Sequence, residues 1–477
     1  MVVNNQIRKV TKRTRGFEDF TEERIIQAIL GAAKDGGGFQ ACLLDEPFHE
    51  IYHGKSDEEI AAMLTDDVII CLNSNEINLI PYRPPQIELI QDLVEHVLFS
   101  RGFVEIGEMY HAYRAGRALI RDKEIREDQF AGSGYPHSKL EKVKKWHQEH
   151  ECDTLEKVNE WVKRGKLKEL IDASIAVYEE SLDEAARKFM ANPHVRVLVI
   201  TGPSSSGKTT TTHKLCERLR KEGIRFKSLE LDNYFWNLQQ HPRDSFGDYN
   251  YEVPESLDLI LINKHVGALL AGETIYPPKY NFNTGNREPS DKPFKLADDE
   301  VLLLDSLYGL FPPMTASVER EKKFQLYIET LTTLYFSGYK NGKEFLPFTD
   351  YRLLRRMLRD EKYRNHPIER TLGHWHYVRK GELGDIIPRI NVADIIINGG
   401  LAFELPVLKQ AMGDSFPPFQ HYLEQRRLDP YIRGKRVKNI LDHTISANVD
   451  LDDMTLIPED CHLREFIGGS KYKSLTL

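Results

Sequence analysis

The residues 195–209 read V-R-V-L-V-I-T-G-P-S-S-S-G-K-T, and Gly202, Gly207, Lys208 and Thr209 within them fit the spacing G-x-x-x-x-G-K-[ST]. That spacing suits one kind of chemistry. Two glycines let the backbone wrap an anion with its N–H groups inward, and a helix starting there adds its positive end. Ser204, Ser205, Ser206 and Thr210 belong to the same cradle. Lys208 suits the outer phosphates of a nucleoside triphosphate, and the Thr209 hydroxyl suits Mg²⁺. ATP and Mg²⁺ are the ligands this stretch predicts.

Two carboxylates extend the reading. The strand expected at 225–231 delivers Asp232 at its C-terminal end, and the apolar run Val301-Leu302-Leu303-Leu304 delivers Asp305 in the same way. Open α/β sheets keep their ligands at that edge. One carboxylate can take the proton of an acceptor hydroxyl, and the other can hold Mg²⁺ with Thr209. Farther on, T-D-Y-R-L-L-R-R-M-L-R-D (349–360) places Arg352, Arg355, Arg356 and Arg359 at i, i+3, i+4, i+7 on one helix face. Leu353, Leu354, Met357 and Leu358 occupy the other side. Such a face is expected to close over transferring phosphates as a lid. The aromatic group Tyr249, Tyr251, Tyr280 and Phe282 lies in loop-rich sequence and is expected to wall a flat or sugar-like acceptor. His374-Trp375-His376 is not read as a metal pair, because i and i+2 positions of a helix point apart.

Stepping outward, the elements that must position these groups form an α/β P-loop domain: a parallel sheet of about five strands flanked by helices, with the loop helix ending at Gly223. Ahead of it, residues 7–20 predict two short strands around Arg15-Gly16, followed by a helix from Thr21 with Ile25, Ile26, Ile29 and Ala33 on one side. Ser56-Asp57-Glu58-Glu59 is a capping box. Pro84-Pro85 opens a third helix, and a fourth is expected from about Ile106 to Leu119. Residues 121–153 are charged, with the likeliest hinge at 131–136 (A-G-S-G-Y-P), and 154–190 carry helical periodicity.

The 477 residues hold 65 basic and 73 acidic side chains, a net charge of −8, which gives no basic surface for nucleic acid or anionic membrane. No apolar run approaches a membrane span, and the five cysteines show no C-x-x-C spacing, which predicts a cytoplasmic protein without a structural zinc site. The expected partner is a small-molecule acceptor, and assembly as a homo-oligomer is expected.

From residue 195 onward the chain resembles the uridine kinase and phosphoribulokinase branch of P-loop kinases. The stretches that carry the resemblance are G-P-S-S-S-G-K-T, L-D-N-Y-F (231–235), D-Y-N-Y-E-V-P-E-S-L-D (248–258), P-P-K-Y-N-F-N-T-G-N-R-E (277–288), the arginine helix and A-D-I-I-I-N (393–398). The subgroup most similar is bacterial, longer, and ends in a segment like H-L-R-E-F-I-G-G-S (462–470). The resemblance implies Asp232 as base toward a sugar hydroxyl. It implies Tyr234, Glu252, Tyr280, Phe282 and Arg287 toward the acceptor, and Arg356, Arg359 and Arg364 in the lid. Four departures stand out. Gly285 occupies the place of a base-reading histidine, Glu252 that of an Asp, Phe235 that of a Tyr, and Asp305-Ser306 that of Glu-Gly.

The N-terminal stretch resembles the ATP-cone, a regulatory nucleotide-binding domain, through V-T-K-R (10–13), F-T-E-E-R-I (20–25) and I-Q-D-L-V-E-H-V-L (90–98). That resemblance implies a nucleotide pocket lined by Lys12, Arg13, Glu18, Thr21 and Arg24, or a cone that has lost its ligand and serves assembly. The expected organisation is a cone at 1–121, hinge and linker helices at 122–193, the kinase domain at 194–405 and a helical extension at 406–477. The function expected is transfer of the γ-phosphoryl of ATP to a small acceptor, most simply a nucleoside 5′-hydroxyl. A sugar or sugar-phosphate acceptor and a nucleotide-sensing regulatory pseudokinase remain as alternatives.

Overall fold

In a computed structural model, residues 5, 7–11, 17–35, 38–41, 44, 47–73, 85, 87–104, 106–107, 110, 136–241, 249, 252–281, 284–339, 342–364, 366–424 and 428–472 are described. The contacts divide the chain into two units, one of residues 1–133 with 418–436 and one of residues 134–417 with 437–477.

The first unit opens with a hairpin, β1 (Lys9–Thr11) and β2 (Phe17–Asp19), paired antiparallel with Val10 opposite Glu18. Helices α1 (Glu22–Asp35), α2 (Phe48–Tyr52), α3 (Asp57–Asn73) and α4 (Ile87–Ser100) follow. The capping box at Ser56 is present: its Oγ accepts from Glu59 N–H at 3.2 Å, and Glu59 accepts from Ser56 N–H at 2.8 Å. Ile25, Ile29, Leu64, Val68, Val94 and Val97 meet in one core, as the helical spacing predicts. The turn at 12–16, most of the expected fourth helix and the expected hinge lie outside the described residues.

The second unit begins upstream of the P-loop. Helices α5 (His137–Glu149), α6 (Leu155–Lys163) and α7 (Leu167–Met190) precede β3 (Val197–Thr201). Then come α8 (Lys208–Lys221), β4 (Arg225–Glu230), α9 (Leu259–Leu270), the short strands β5 (Thr274–Ile275), β6 (Lys279–Asn281), β7 (Asn286–Glu288) and β8 (Phe294–Lys295), and β9 (Glu300–Ser306). The chain continues through β10 (Lys323–Glu329), β11 (Tyr335–Tyr339), β12 (Gly342–Phe345), α10 (Phe348–Arg364), α11 (Ile368–Gly381), β13 (Ile395–Asn398) and α12 (Glu404–Met412); α13 (His421–Glu424) and the start of α14 (Leu428–His443) belong to the first unit, and the rest of α14 and α15 (Arg464–Ile467) to the second.

The central sheet runs β13-β10-β3-β9-β4, and every pairing in it is parallel. Side chains alternate across it, as the pleat requires. Val197, Val199, Leu302 and Leu304 pack to one side with Ile262 and Val266 of α9. Leu198, Ile200, Leu303 and Leu326 pack to the other with Leu215 and Leu219 of α8 and with Tyr178, Leu182, Ala185 and Phe189 of α7. So α7, expected either to pack on the kinase core or to bridge it to the cone, forms part of the sheet's own core. The i, i+4 spacing of those α7 residues gives one apolar stripe, and that stripe is what the sheet buries.

Candidate active site

Strand β3 is central, and the chain leaves it into the loop 202–207 before entering α8. Gly202 is required by close approach: a Cβ there would lie 2.2 Å from the Ile328 carbonyl oxygen at the end of β10. Gly207 has φ +95°, a left-handed turn that starts α8, and Ser205 holds φ +62° without being glycine. Gly399, just past β13, lies so close beneath that a Cβ would meet the Ser206 carbonyl oxygen at 2.6 Å.

The carbonyls of this loop are drawn outward. Arg352 donates to Ser204 O at 3.1 Å and Arg355 to Ser205 O at 3.3 Å. A trans peptide plane places the next N–H on the opposite side, so these bonds help aim amides inward. Among the described residues, the Ser205, Ser206 and Thr210 hydroxyls are buried without hydrogen-bond partners. Buried polar groups of that kind call for a ligand. Lys208 folds back on the loop, donating to Gly202 O at 2.9 Å and Pro203 O at 3.2 Å. Burial lowers its pKa, Asp305, Asp232 and Glu465 oppose that, and Arg359 adds to it.

Asp305 sits near the end of β9, level with Ile200 of β3 and Glu230 of β4. Burial lifts its carboxyl to about 7 against the pull of Lys208, with Asp232 and Glu465 adding like charge. Asp232 opens a short 3₁₀ turn, Leu231–Tyr234, after β4. Its side chain reaches water, yet desolvation by the surrounding chain raises its pKa, Lys208 and Arg364 acting the other way and Glu230 and Glu252 adding like charge. Both strand-end carboxylates therefore share one cleft with the loop lysine. Among the described residues no group of three or more His, Cys, Asp or Glu side chains forms a metal cage. The Thr209 hydroxyl with the single carboxylate of Asp305 suits a Mg²⁺ that takes most of its oxygens from phosphate and water.

The arginine helix needs a correction. It was expected as one free anion-binding face, but its four arginines divide. Arg352 and Arg355 are fully buried. Arg352 pairs with Glu329 at 2.7 Å and with both oxygens of Glu382, while Arg355 pairs with Glu404 at 2.7 Å and donates to Gly399 O at 2.7 Å. Arg356 and Arg359 keep 13% and 20% of their side-chain surface, and with Arg364 they share Asp360 at 3.1, 3.1 and 3.4 Å. Arg356 also reaches the Ser204 hydroxyl at 3.1 Å and Glu252 at 3.5 Å. Burial and the charges of Arg364 and Arg356 push Arg359 down to about 10, a sign of surplus positive charge.

On the acceptor side, Asn233 Oδ1 accepts from Tyr280 N–H at 3.0 Å, and Asn237 Oδ1 accepts from Arg287 N–H at 2.8 Å. These bonds pin the β6–β7 hairpin to the 231–241 turns. The Tyr280 ring lies 5.6 Å from Phe235. Arg287 pairs with Asp258 at 2.9 Å and covers Trp236 at 4.6 Å. Glu252 is buried, with His374 Nε2 at 3.7 Å. Burial alone would raise its pKa, but His374 and Arg356 bring it below the ordinary range. Tyr234 is a second correction: it is buried in the sheet's core and its hydroxyl lies 2.8 Å from His265 Nδ1, so it belongs to the fold and not to the acceptor wall. Phe282, Tyr251, Lys12 and Arg13 fall outside the described residues. In the first unit Glu18 forms an ion pair with Arg24, and Thr21 directly precedes α1.

Sequence reasoning missed Glu329, Glu382, Glu404 and Glu465. Glu329 was findable: F-Q-L-Y-I-E (324–329) is a further apolar strand ending in a carboxylate.

Residues 197–338 match the family described as "Phosphoribulokinase / Uridine kinase family". A uridine kinase of Deinococcus deserti is 28% identical over 212 residues, 44% of this chain and 91% of that protein. Uridine-cytidine kinase B of Dictyostelium discoideum is 26% identical over 208 residues, 43% of this chain and 76% of that protein. The second unit thus carries a P-loop kinase domain, a phosphotransferase. Residues 197–338 are the part of it similar to the phosphoribulokinases and uridine kinases. The segment that matches the family stops before α10.

Proposed function

We propose that this chain transfers the γ-phosphoryl group of ATP to a hydroxyl of a small acceptor, with a nucleoside 5′-hydroxyl the leading candidate. The observation that carries this reading is the cleft itself, where a phosphate loop, two strand-end carboxylates and three arginines sharing one aspartate converge. The loop amides and Lys208 hold the phosphates. Asp232, open to water at the cleft mouth, takes the acceptor proton. Thr209 and Asp305 hold Mg²⁺, whose charge neutralises that developing on the phosphates. Arg356, Arg359 and Arg364 stabilise charge during transfer. Glu252 and Tyr280 position the acceptor. The names of the curated relatives support a nucleoside.

One observation favours a sugar or sugar-phosphate acceptor as the second reading. Gly285 has φ +70°, and a Cβ there would lie 2.7 Å from the Leu238 Cβ, so no side chain reads a base from that position. The test is an ATP-turnover screen across ribo- and deoxyribonucleosides, pentoses and pentose phosphates, run alongside Asp232→Asn. Stimulation by a nucleoside that is lost in the variant supports the first reading, and stimulation by a sugar alone supports the second. ATP binding with no turnover on any acceptor favours the regulatory pseudokinase.

The first unit is proposed as an ATP-cone that senses ATP or dATP and biases a homo-oligomer. Its hairpin, the Glu18–Arg24 pair and the helices after it support that reading. Unchanged kinetics and oligomeric state in Lys12→Ala across ATP and dATP levels would refute it.

A further inference from the structure

The C-terminal segment reaches the phosphate loop. Thr210, in the first turn of α8, donates its backbone N–H to Glu465 Oε1 at 2.6 Å. First-turn amides of a helix that follows a phosphate loop are anion seats, and here a carboxylate of the same chain fills one.

The segment is held for that purpose from several sides. His462 is fully buried, bonds Gly399 O through Nε2 at 2.8 Å and packs against Gly207, where a Cβ would lie 3.0 Å from its ring. Arg464 donates to the carbonyls of Ile457 at 2.9 Å and Asp453 at 3.2 Å. Lys362 of α10 donates to Ile467 O at 3.0 Å. Gly468 and Gly469 turn the chain away at φ +103° and +76°.

The carboxylate satisfies only part of the seat. The Ser205, Ser206 and Thr210 hydroxyls beside it stay buried without partners among the described residues. A polyphosphate offers more acceptor oxygens than one carboxylate and meets the same loop amides and Lys208. Two anions cannot share one N–H donor at hydrogen-bond distance, so phosphate and carboxylate exclude each other there.

We infer that Glu465 is an internal stand-in for a nucleotide phosphate: it occupies the Thr210 N–H until nucleotide enters, and nucleotide entry releases it and loosens residues 464–470. The inference rests on the proposed binding of ATP at this loop. It makes the C-terminal segment a displaceable strap whose anchor, His462, stays in place while the Glu465 side chain swings out.

The test is the dissociation constant of ATP for the full chain, its Glu465→Gln and Glu465→Ala variants, and Lys208→Ala. Loss of the competing charge-assisted bond tightens ATP binding about tenfold in Glu465→Ala. The gain is smaller in Glu465→Gln, whose neutral amide oxygen still accepts from Thr210. Hydrogen exchange in the parent chain speeds up at 464–470 when ATP is added. ATP binding that is unchanged or weaker in a Glu465→Ala protein with parent-like Tm overturns the strap and leaves the nucleotide reading standing. Failure of the parent and both Glu465 variants to bind ATP, or full binding by Lys208→Ala, overturns the nucleotide reading and the strap with it.

Discussion

Helix α10 carries the same residue type at both ends of one stripe, and the two ends do opposite work. Its inner pair, Arg352 and Arg355, is fully buried and meets three glutamates, Glu329, Glu382 and Glu404. Its outer pair, Arg356 and Arg359, lies about one helical turn farther along, keeps some exposure, and shares Asp360 with Arg364. The inner guanidiniums are neutralised and spend their remaining donors on the carbonyls of Ser204, Ser205 and Gly399. The outer ones share Asp360 with Arg364, and Arg356 also reaches Glu252 and the Ser204 hydroxyl. An arginine's identity therefore says less about its task than the ratio of carboxylates to guanidiniums around it.

That contrast can be broken most forcefully from the inside. Arg352→Ala strands Glu329 as a buried, uncompensated charge, leaves Glu382 only its pair with Arg379, and is expected to cost about 3–5 kcal/mol of stability. Chemical denaturation measures this, and a loss under about 1 kcal/mol would show that the inner pair is not structural. Next in size is Arg359→Ala. On the proposed mechanism it lowers kcat by about 10²–10³-fold while leaving Tm near that of the parent chain. A Tm drop as large as that of Arg352→Ala, with kcat preserved, would erase the distinction between the two ends.

The smallest effect concerns Asp305, whose folded carboxyl titrates near 7 against an ordinary 3.8. Between those values the folded chain keeps a proton that the unfolded chain has lost, so stability falls as pH rises from about 4 to about 7 and levels off above. Asp305→Asn should flatten that slope across the interval. Urea midpoints at pH 5, 6, 7 and 8 read it directly. An identical slope in both proteins would show that Asp305 titrates normally and that the cleft does not crowd it. The same titration makes the ionised carboxylate wanted for Mg²⁺ scarcer as pH falls below about 7.

What was legible in the sequence follows the range of the forces involved. The phosphate loop, the strands before Asp232 and Asp305 and the capping box at Ser56 are set by neighbours within a few residues, and all are present. The glutamates that neutralise Arg352 and Arg355 come from β10, from the turn after α11 and from the start of α12, so no local pattern announces the pairing. Tyr234 and Tyr280 are equally plausible as wall residues by type. A 3₁₀ turn sends Tyr234 into the core, whereas the hairpin leaves Tyr280 beside Phe235. The tail's H-L-R-E-F-I-G-G-S carries no chemistry until folding brings Glu465 to Thr210.

Helix α7 sets where an autonomous folding unit starts. The family match begins at Val197, but Tyr178, Leu182, Ala185 and Phe189 cover Leu198, Ile200 and Leu326, and the Tyr178 hydroxyl bonds Thr211 in α8 at 2.8 Å. A fragment cut at the family boundary would keep α8 on that side of the sheet but open to water the part that α7 covers, which invites aggregation. The kinase is a cooperative whole only with the helix that precedes its signature, so a gene fusion that carried the motif without α7 would transfer the chemistry and lose its scaffold.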